Sequence, residues 1–369
     1  MASPASATTT TAQLIRLGQS PWLDYISRSL LDSGELARMV HDGWVTGVTS
    51  NPSIFEKAIS SSSGYSAALS ALAGQGVCDS YEAFVALAVE DIRDACDVLR
   101  PVYDQAAGQD GFVSFEVPPG IEKDTADTVA EARRLAALVG RPNLMIKVPG
   151  TPEGISAVPH LIAEGINVNI TLLFGVAAYE AAAAAYIDGL ERRRAAGRPL
   201  EGVASVASFF VSRLDTAIDP VLLEGSLLRG TAAVANARRA YGRFKVIFSG
   251  PSWERLAAAG ARVQRPLWAS TGTKNPAYSD ILYVQDLIAP FTVNTMPEAT
   301  LNAVLDHLDA RPTLEAGMAA AEAHLAALPA AGVDLEAVTA KLLDEGLAAF
   351  ERDFQKLLDR IGEALAAGA

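Results

Sequence analysis

The sequence predicts an α/β fold, a (β/α)8 TIM barrel with extra C-terminal helices, and three observations predict it. Eight short apolar or β-branched runs alternate with longer, Ala-rich stretches of helical periodicity. Such alternation calls for a parallel sheet covered by helices, and eight strands can close that sheet on itself. Neither G-x-G-x-x-G nor G-x-x-x-x-G-K-[ST] occurs. The rival architecture, an open doubly wound sheet, therefore lacks its usual nucleotide-binding signatures.

The elements follow in order. The opening segment is rich in Ser, Thr and Ala and reads as a mobile tail over residues 1–12. The first strand is expected at WLDYI (22–26) and the second at VTGVTS (45–50), which an Asn-Pro turn follows. A long helical pattern then places Phe84, Leu87, Ala88, Ile92 and Ala95 on one face and leads to GFVSFEV (111–117). TADTVAEARRLAALVG separates that strand from NLMIKVP (143–149), and INVNITLL (166–173) comes next. GVAAYEAAAAAYIDGLERRRAAG leads to VASVASFF (203–210), with RPLWAST (265–271) and PFTVNTM (290–296) completing the set. From about residue 313 two helices come without a strand. The last, over residues 334–364, carries the apolar stripe Leu335, Val338, Leu342, Phe350, Phe354, Leu358, Ile361 and Leu365, expected to pack on the barrel's outside. No linker divides the chain, so residues 13–369 read as a single domain.

Composition narrows the function. With 43 Asp and Glu against 30 Lys and Arg, the formal charge of −13 argues against nucleic acid. An anionic ligand would need a few local cations to hold it. No apolar run reaches the roughly 20 residues of a membrane span, and no secretory signal is expected at the start. Cys78 and Cys96 cannot build a disulfide framework, and no Cys/His cluster has zinc spacing, so a cytoplasmic home without a metal site is expected. His41, His160, His307 and His324 form no triad with a nucleophilic serine. The basic run ERRRAAGR (191–198) suits a solvated helix C-terminus, and Lys57, after the Asn-Pro turn, suits a solvated helix position before a place near the barrel mouth.

One short stretch points to chemistry. In LMIKVPG (144–150) a lysine stands between Ile146 and Val148, where a strand buried on both faces is expected. A buried ammonium is costly unless it is paired or gives up its proton, and the neutral amine is what a Schiff-base nucleophile needs. Barrel chemistry sits at the C-terminal strand ends. That edge offers Asp24, Thr49, Asn51, Glu116, Lys147, Asn169, Thr171, Ser208 and Ser270. Asp24, Glu116 and Lys147 would supply one nucleophilic amine and two proton-transfer groups.

Six motifs, in order, resemble those of the transaldolases, in particular the longer bacterial form. They are GVTSNPSIFEKAI (47–59), VSFEVPP (113–119), MIKVPGTPEGI (145–155), NVNITLLF (167–174), VASFFVSRLD (206–215) and LWASTGTKNP (267–276). The resemblance spans roughly residues 17–300. It implies a metal-independent, cofactor-free enzyme acting on phosphorylated sugars, with neither nucleic acid nor membrane as partner. Lys147 stands at the catalytic lysine and Asp24 at the first-strand aspartate that exchanges a proton with the C4 hydroxyl. Glu116 stands at a glutamate that works with Thr171 through a water. Asn51, Asn169 and Ser208 match groups that hold the dihydroxyacetone hydroxyls, and Phe210 an aromatic ring beside the Schiff base. Arg213 and Ser270 match the phosphate site. Where much of the family has arginine, position 272 is Gly, and Lys274 is the nearest cation. The implied reaction moves a dihydroxyacetone unit from sedoheptulose 7-phosphate to glyceraldehyde 3-phosphate. Two alternatives are an aldolase that releases free dihydroxyacetone and a non-catalytic sugar-phosphate-binding barrel.

Overall fold

A computed structural model describes residues 9–61 and 63–368 of the chain. Residues 1–8 of the expected tail lie outside the described residues. Its remainder is helical: Thr9 caps a helix over Thr10–Arg16 through the Ala12 N–H, and Thr11 is buried with its hydroxyl on Gly43 O at 2.8 Å.

Eight parallel strands close into a barrel in sequence order. They are β1 (Gln19–Leu23), β2 (Gly47–Thr49), β3 (Val113–Glu116), β4 (Leu144–Pro149), β5 (Val168–Leu173), β6 (Ser205–Phe210), β7 (Arg265–Ala269) and β8 (Thr292–Met296). Seven lie inside the runs read from sequence. The exception is β1, which begins three residues before its expected start. Pairing with β8 sets its register, from Gln19 opposite Thr292 to Leu23 opposite Met296. Gln19 is a poor strand signal, yet it is fully buried because its amide donates to Leu287 O and Thr292 Oγ1. The consequence is functional. Asp24 stands just beyond the C-terminal end of β1, its N–H on Met296 O at 2.8 Å, rather than within the strand.

The final helix departs from expectation in placement. The final helix, Leu335–Gly368, is about 50 Å long and starts at Asp334, whose side chain caps Glu336 and Ala337. It packs against the helices Pro52–Ser61, Ser66–Gly74 and Ser80–Gln105, with Phe354 edge-on to Phe84. Midway it passes Leu172 at the end of β5 and comes close to Arg213: a Cβ on Gly346 would lie 3.0 Å from the Leu172 side chain and 3.6 Å from the guanidinium. The helix therefore crosses the C-terminal mouth of the barrel instead of lying wholly outside it. Its apolar stripe reported a buried face but not the surface that covers it.

Candidate active site

The strand register builds the center of the site. Glu116 pairs with Lys147, and Lys147 with Asn169, so three neighbouring strands bring these side chains to one level. Lys147 is 4% exposed and Glu116 7%, and Lys147 Nζ lies 3.3 Å from Glu116 Oε2. The amine also donates to Ser50 O at 3.0 Å. Burial raises the Glu116 pKa, and the Lys147 charge opposes that rise.

A cavity of about 490 Å³ opens above this pair at the C-terminal mouth. All the sequence-predicted residues line it except Glu116 and Asn169, which stand behind its wall. Another cavity, of about 270 Å³, lies at the opposite end of the barrel between Phe112, Met145, Trp253 and Arg265 and holds none of them. Asp24 is half-buried on the mouth side and accepts from Thr49 Oγ1 at 2.7 Å. Desolvation raises its pKa, against the pull of Lys147, the Thr49 hydrogen bond, Arg213 and Lys274. A carboxyl whose proton is held more tightly than usual is a candidate for proton exchange with a ligand.

The wall around Asn169 is held by side-chain hydrogen bonds. Asn169 Oδ1 accepts from Ser208 Oγ at 2.6 Å, and its Nδ2 donates to Ser114 Oγ at 3.0 Å. Thr171 Oγ1 is buried without a hydrogen-bond partner among the described residues. Asn51 Oδ1 takes the Ile54 N–H at 3.0 Å, which leaves its amide NH2 for a ligand. A bulge between Ile170 and Leu173, with Leu172 at φ +60°, ends the regular part of β5.

Opposite lies a cationic corner. Arg213 sits 5.2 Å from the Phe210 ring centroid, and Phe210 packs on Phe174. Burial disfavors the Arg213 cation, while Asp24 and Glu345 favor it. Ser270 holds φ +55°, rare outside glycine, and its hydroxyl meets that of Ser212 at 3.0 Å. Lys274 is exposed, and its Nζ lies 3.9 Å from where a Cβ on Gly272 would be. Its ammonium thus folds back toward the space that a side chain at 272 would enter.

Several cavity residues escaped the sequence reading. Thr295, Phe350 and Asp353 line the mouth; Lys57, expected either there or at a solvated helix position, is exposed and lines it too. Phe350 belongs to the stripe that reads as packing, and Asp353 looks like any exposed helix acid. The Ser50 carbonyl has no sequence signal, because every residue carries one. The basic run stays outside the site: Arg192 and Arg194 pair with Asp188 and Glu191 on their own helix.

The family model for transaldolase/fructose-6-phosphate aldolase matches residues 21–361. A transaldolase of Thiobacillus denitrificans is 50% identical over 357 residues, which cover 95% of this chain and 99% of the relative. Transaldolase 1 of Streptomyces coelicolor is 49% identical over 374 residues, covering 99% and 98%. A transaldolase of Thermobifida fusca is 50% identical over 361 residues, covering 96% and 98%.

Proposed function

Because the chain belongs to the transaldolase/fructose-6-phosphate aldolase family, we propose that Lys147 is the Schiff-base nucleophile of its reaction. The activity is that of a transaldolase. The observation that carries the assignment is the buried amine, held between Glu116 and Ser50 O at the floor of a cavity that also contains Asp24.

The neutral amine attacks the ketose carbonyl of sedoheptulose 7-phosphate or fructose 6-phosphate, and water leaves as the imine forms. Glu116, raised by burial, and Thr171 pass the protons of that dehydration through a water. The protonated imine then draws the C3–C4 bonding pair toward nitrogen as Asp24 takes the C4 hydroxyl proton. Cleavage releases an aldose phosphate and leaves the three-carbon unit on Lys147 as an enamine. Addition to glyceraldehyde 3-phosphate reverses these steps, and hydrolysis of the new imine frees fructose 6-phosphate. Asn51 and Ser208 hold the hydroxyls of the retained unit, with Asn169 behind the wall orienting the Ser208 hydroxyl, while Thr49 orients Asp24. Arg213, Ser270 and Lys274 take the phosphate. Lys274 acts as a point charge where an arginine would offer a fork. No cofactor takes part in this scheme.

No helix among the described residues is long and apolar enough to cross a membrane, and the proposal places the enzyme in the cytoplasm. The test is borohydride reduction in the presence of fructose 6-phosphate. One three-carbon adduct is expected, on the peptide containing Lys147. An adduct elsewhere, or full turnover by Lys147→Ala, rejects the assignment.

A further inference from the structure

We propose that Asp353, on the C-terminal helix, is a positioning residue for the Lys147 amine and acts through its hydrogen bond to Ser53. The inference rests on Lys147 being the nucleophile.

The turn from β2 into the Pro52–Ser61 helix touches the reacting group directly, since Lys147 Nζ donates to Ser50 O. Asn51 of the same turn lines the cavity. On the barrel side the turn is held by Ser50 Oγ on Ser114 O at 2.7 Å. On the mouth side Ser53 Oγ donates to Asp353 Oδ2, a contact between residues 300 apart in sequence. The turn is thus clamped between β3 and the helix that crosses the mouth.

That helix does not need Asp353 in order to dock. Phe354 is packed against Phe84 and Tyr81, and Arg360 Nη1 donates to Ser60 O at 3.2 Å. Asp353 adds a charge-assisted bond from a rigid element to the turn that carries Ser50 O and Asn51. Imine formation needs the amine within about 3–3.5 Å of the carbonyl carbon and correctly aimed. A turn released at Ser53 lets its carbonyl, and the amine bonded to it, wander from that geometry. The phosphate corner is built on the ends of β6 and β7 and is not part of this clamp.

The experiment measures the rate of borohydride-trappable imine at saturating fructose 6-phosphate, with KM and Tm in parallel. Ser53→Ala and Asp353→Ala should each slow trapping about tenfold, the scale of a small misplacement, with KM changed less than about twofold. Because both act through one bond, the double variant should be no slower than the slower single. Asp353→Asn keeps an acceptor for Ser53 and should restore trapping to within about threefold of the parent. Arg360→Ala removes a docking contact of the same helix and should lower Tm while trapping stays within about twofold. The proposal is overturned if Asp353→Ala traps at the parental rate, if the two losses multiply, or if Arg360→Ala slows trapping as much as Asp353→Ala. If the parent enzyme is labelled at a residue other than Lys147, the assignment of the nucleophile fails instead.

Discussion

Arg213→Ala tests the phosphate corner most directly. The guanidinium stands at the mouth of the cavity, stacked on Phe210 and within reach of Asp24's field. Losing a charge-assisted bond to a phosphate should cost about 1.5–3 kcal/mol, or about 10–150-fold in kcat/KM for phosphorylated donors. A second effect runs through Asp24. Arg213 is one of the charges that hold this carboxyl down, so its removal leaves the pKa higher still and moves the acidic limb of the pH profile upward. That part acts on every substrate. Arg213→Lys keeps the charge but loses the fork and the planar stack, so it should restore the limb while recovering only part of the phosphate affinity. The assay compares kcat/KM on fructose 6-phosphate with transfer from dihydroxyacetone to unphosphorylated glyceraldehyde, each across pH 5–9. At the pH plateau the loss should fall mainly on the phosphorylated donor. Equal losses on both would refute the reasoning and leave Arg213 as a support for the Phe210 wall.

Three further outcomes are expected. Phe210→Tyr adds one hydroxyl to the wall beside the Schiff base and should raise the release of free dihydroxyacetone relative to transfer, through acid–base help to a water; an unchanged ratio in the folded variant would leave Phe210 as packing. Activity should survive exhaustive EDTA treatment, because the imine is itself the electron sink, and a loss restored by Zn²⁺ or Mg²⁺ would indicate a metal-dependent aldolase. Burial, against its bonds to Ala233 N–H and Tyr283 OH, pushes Asp215 up to about 6. A folded pKa above the unfolded one gives stability that is present below pH 4 and lost as pH rises through 6, about 3 kcal/mol for this shift. Asp215→Asn should therefore gain on the parent between pH 4 and 7 in urea unfolding, and parallel pH slopes would count against this account.

Much of the fold and the heart of the site were legible because their signals are local. Short β-branched runs between Ala-rich helices name a parallel barrel without reference to any contact. Lys147 stood out by its place in an apolar strand, where an unpaired charge is costly, and the structure pairs it with Glu116. Lys274 was legible only as the nearest cation to Gly272, and the structure adds that its ammonium folds back over that glycine. Other features left no trace. The start of β1 was obscured by Gln19 and Ser20, polar residues whose donors the barrel pairs internally, the Gln19 amide NH2 with Leu287 O and Thr292 and the Ser20 hydroxyl with Asp110.

By itself, then, the sequence determined the class of fold, the order of its strands and the kinds of group available at their ends. Burial and backbone preference are properties of a residue and its near neighbours, so they can be read along the chain. Only the tertiary structure decided which groups meet. Glu116 reaches Lys147 because β3 and β4 pair in one register, and a shift of one residue would turn either side chain to the other face. The C-terminal helix brings Phe350 and Asp353 to the mouth from some 300 residues beyond the turn that Asp353 binds. An amphipathic stripe specifies that a face is covered, whereas loop lengths, barrel closure and the packing of the whole chain specify by what.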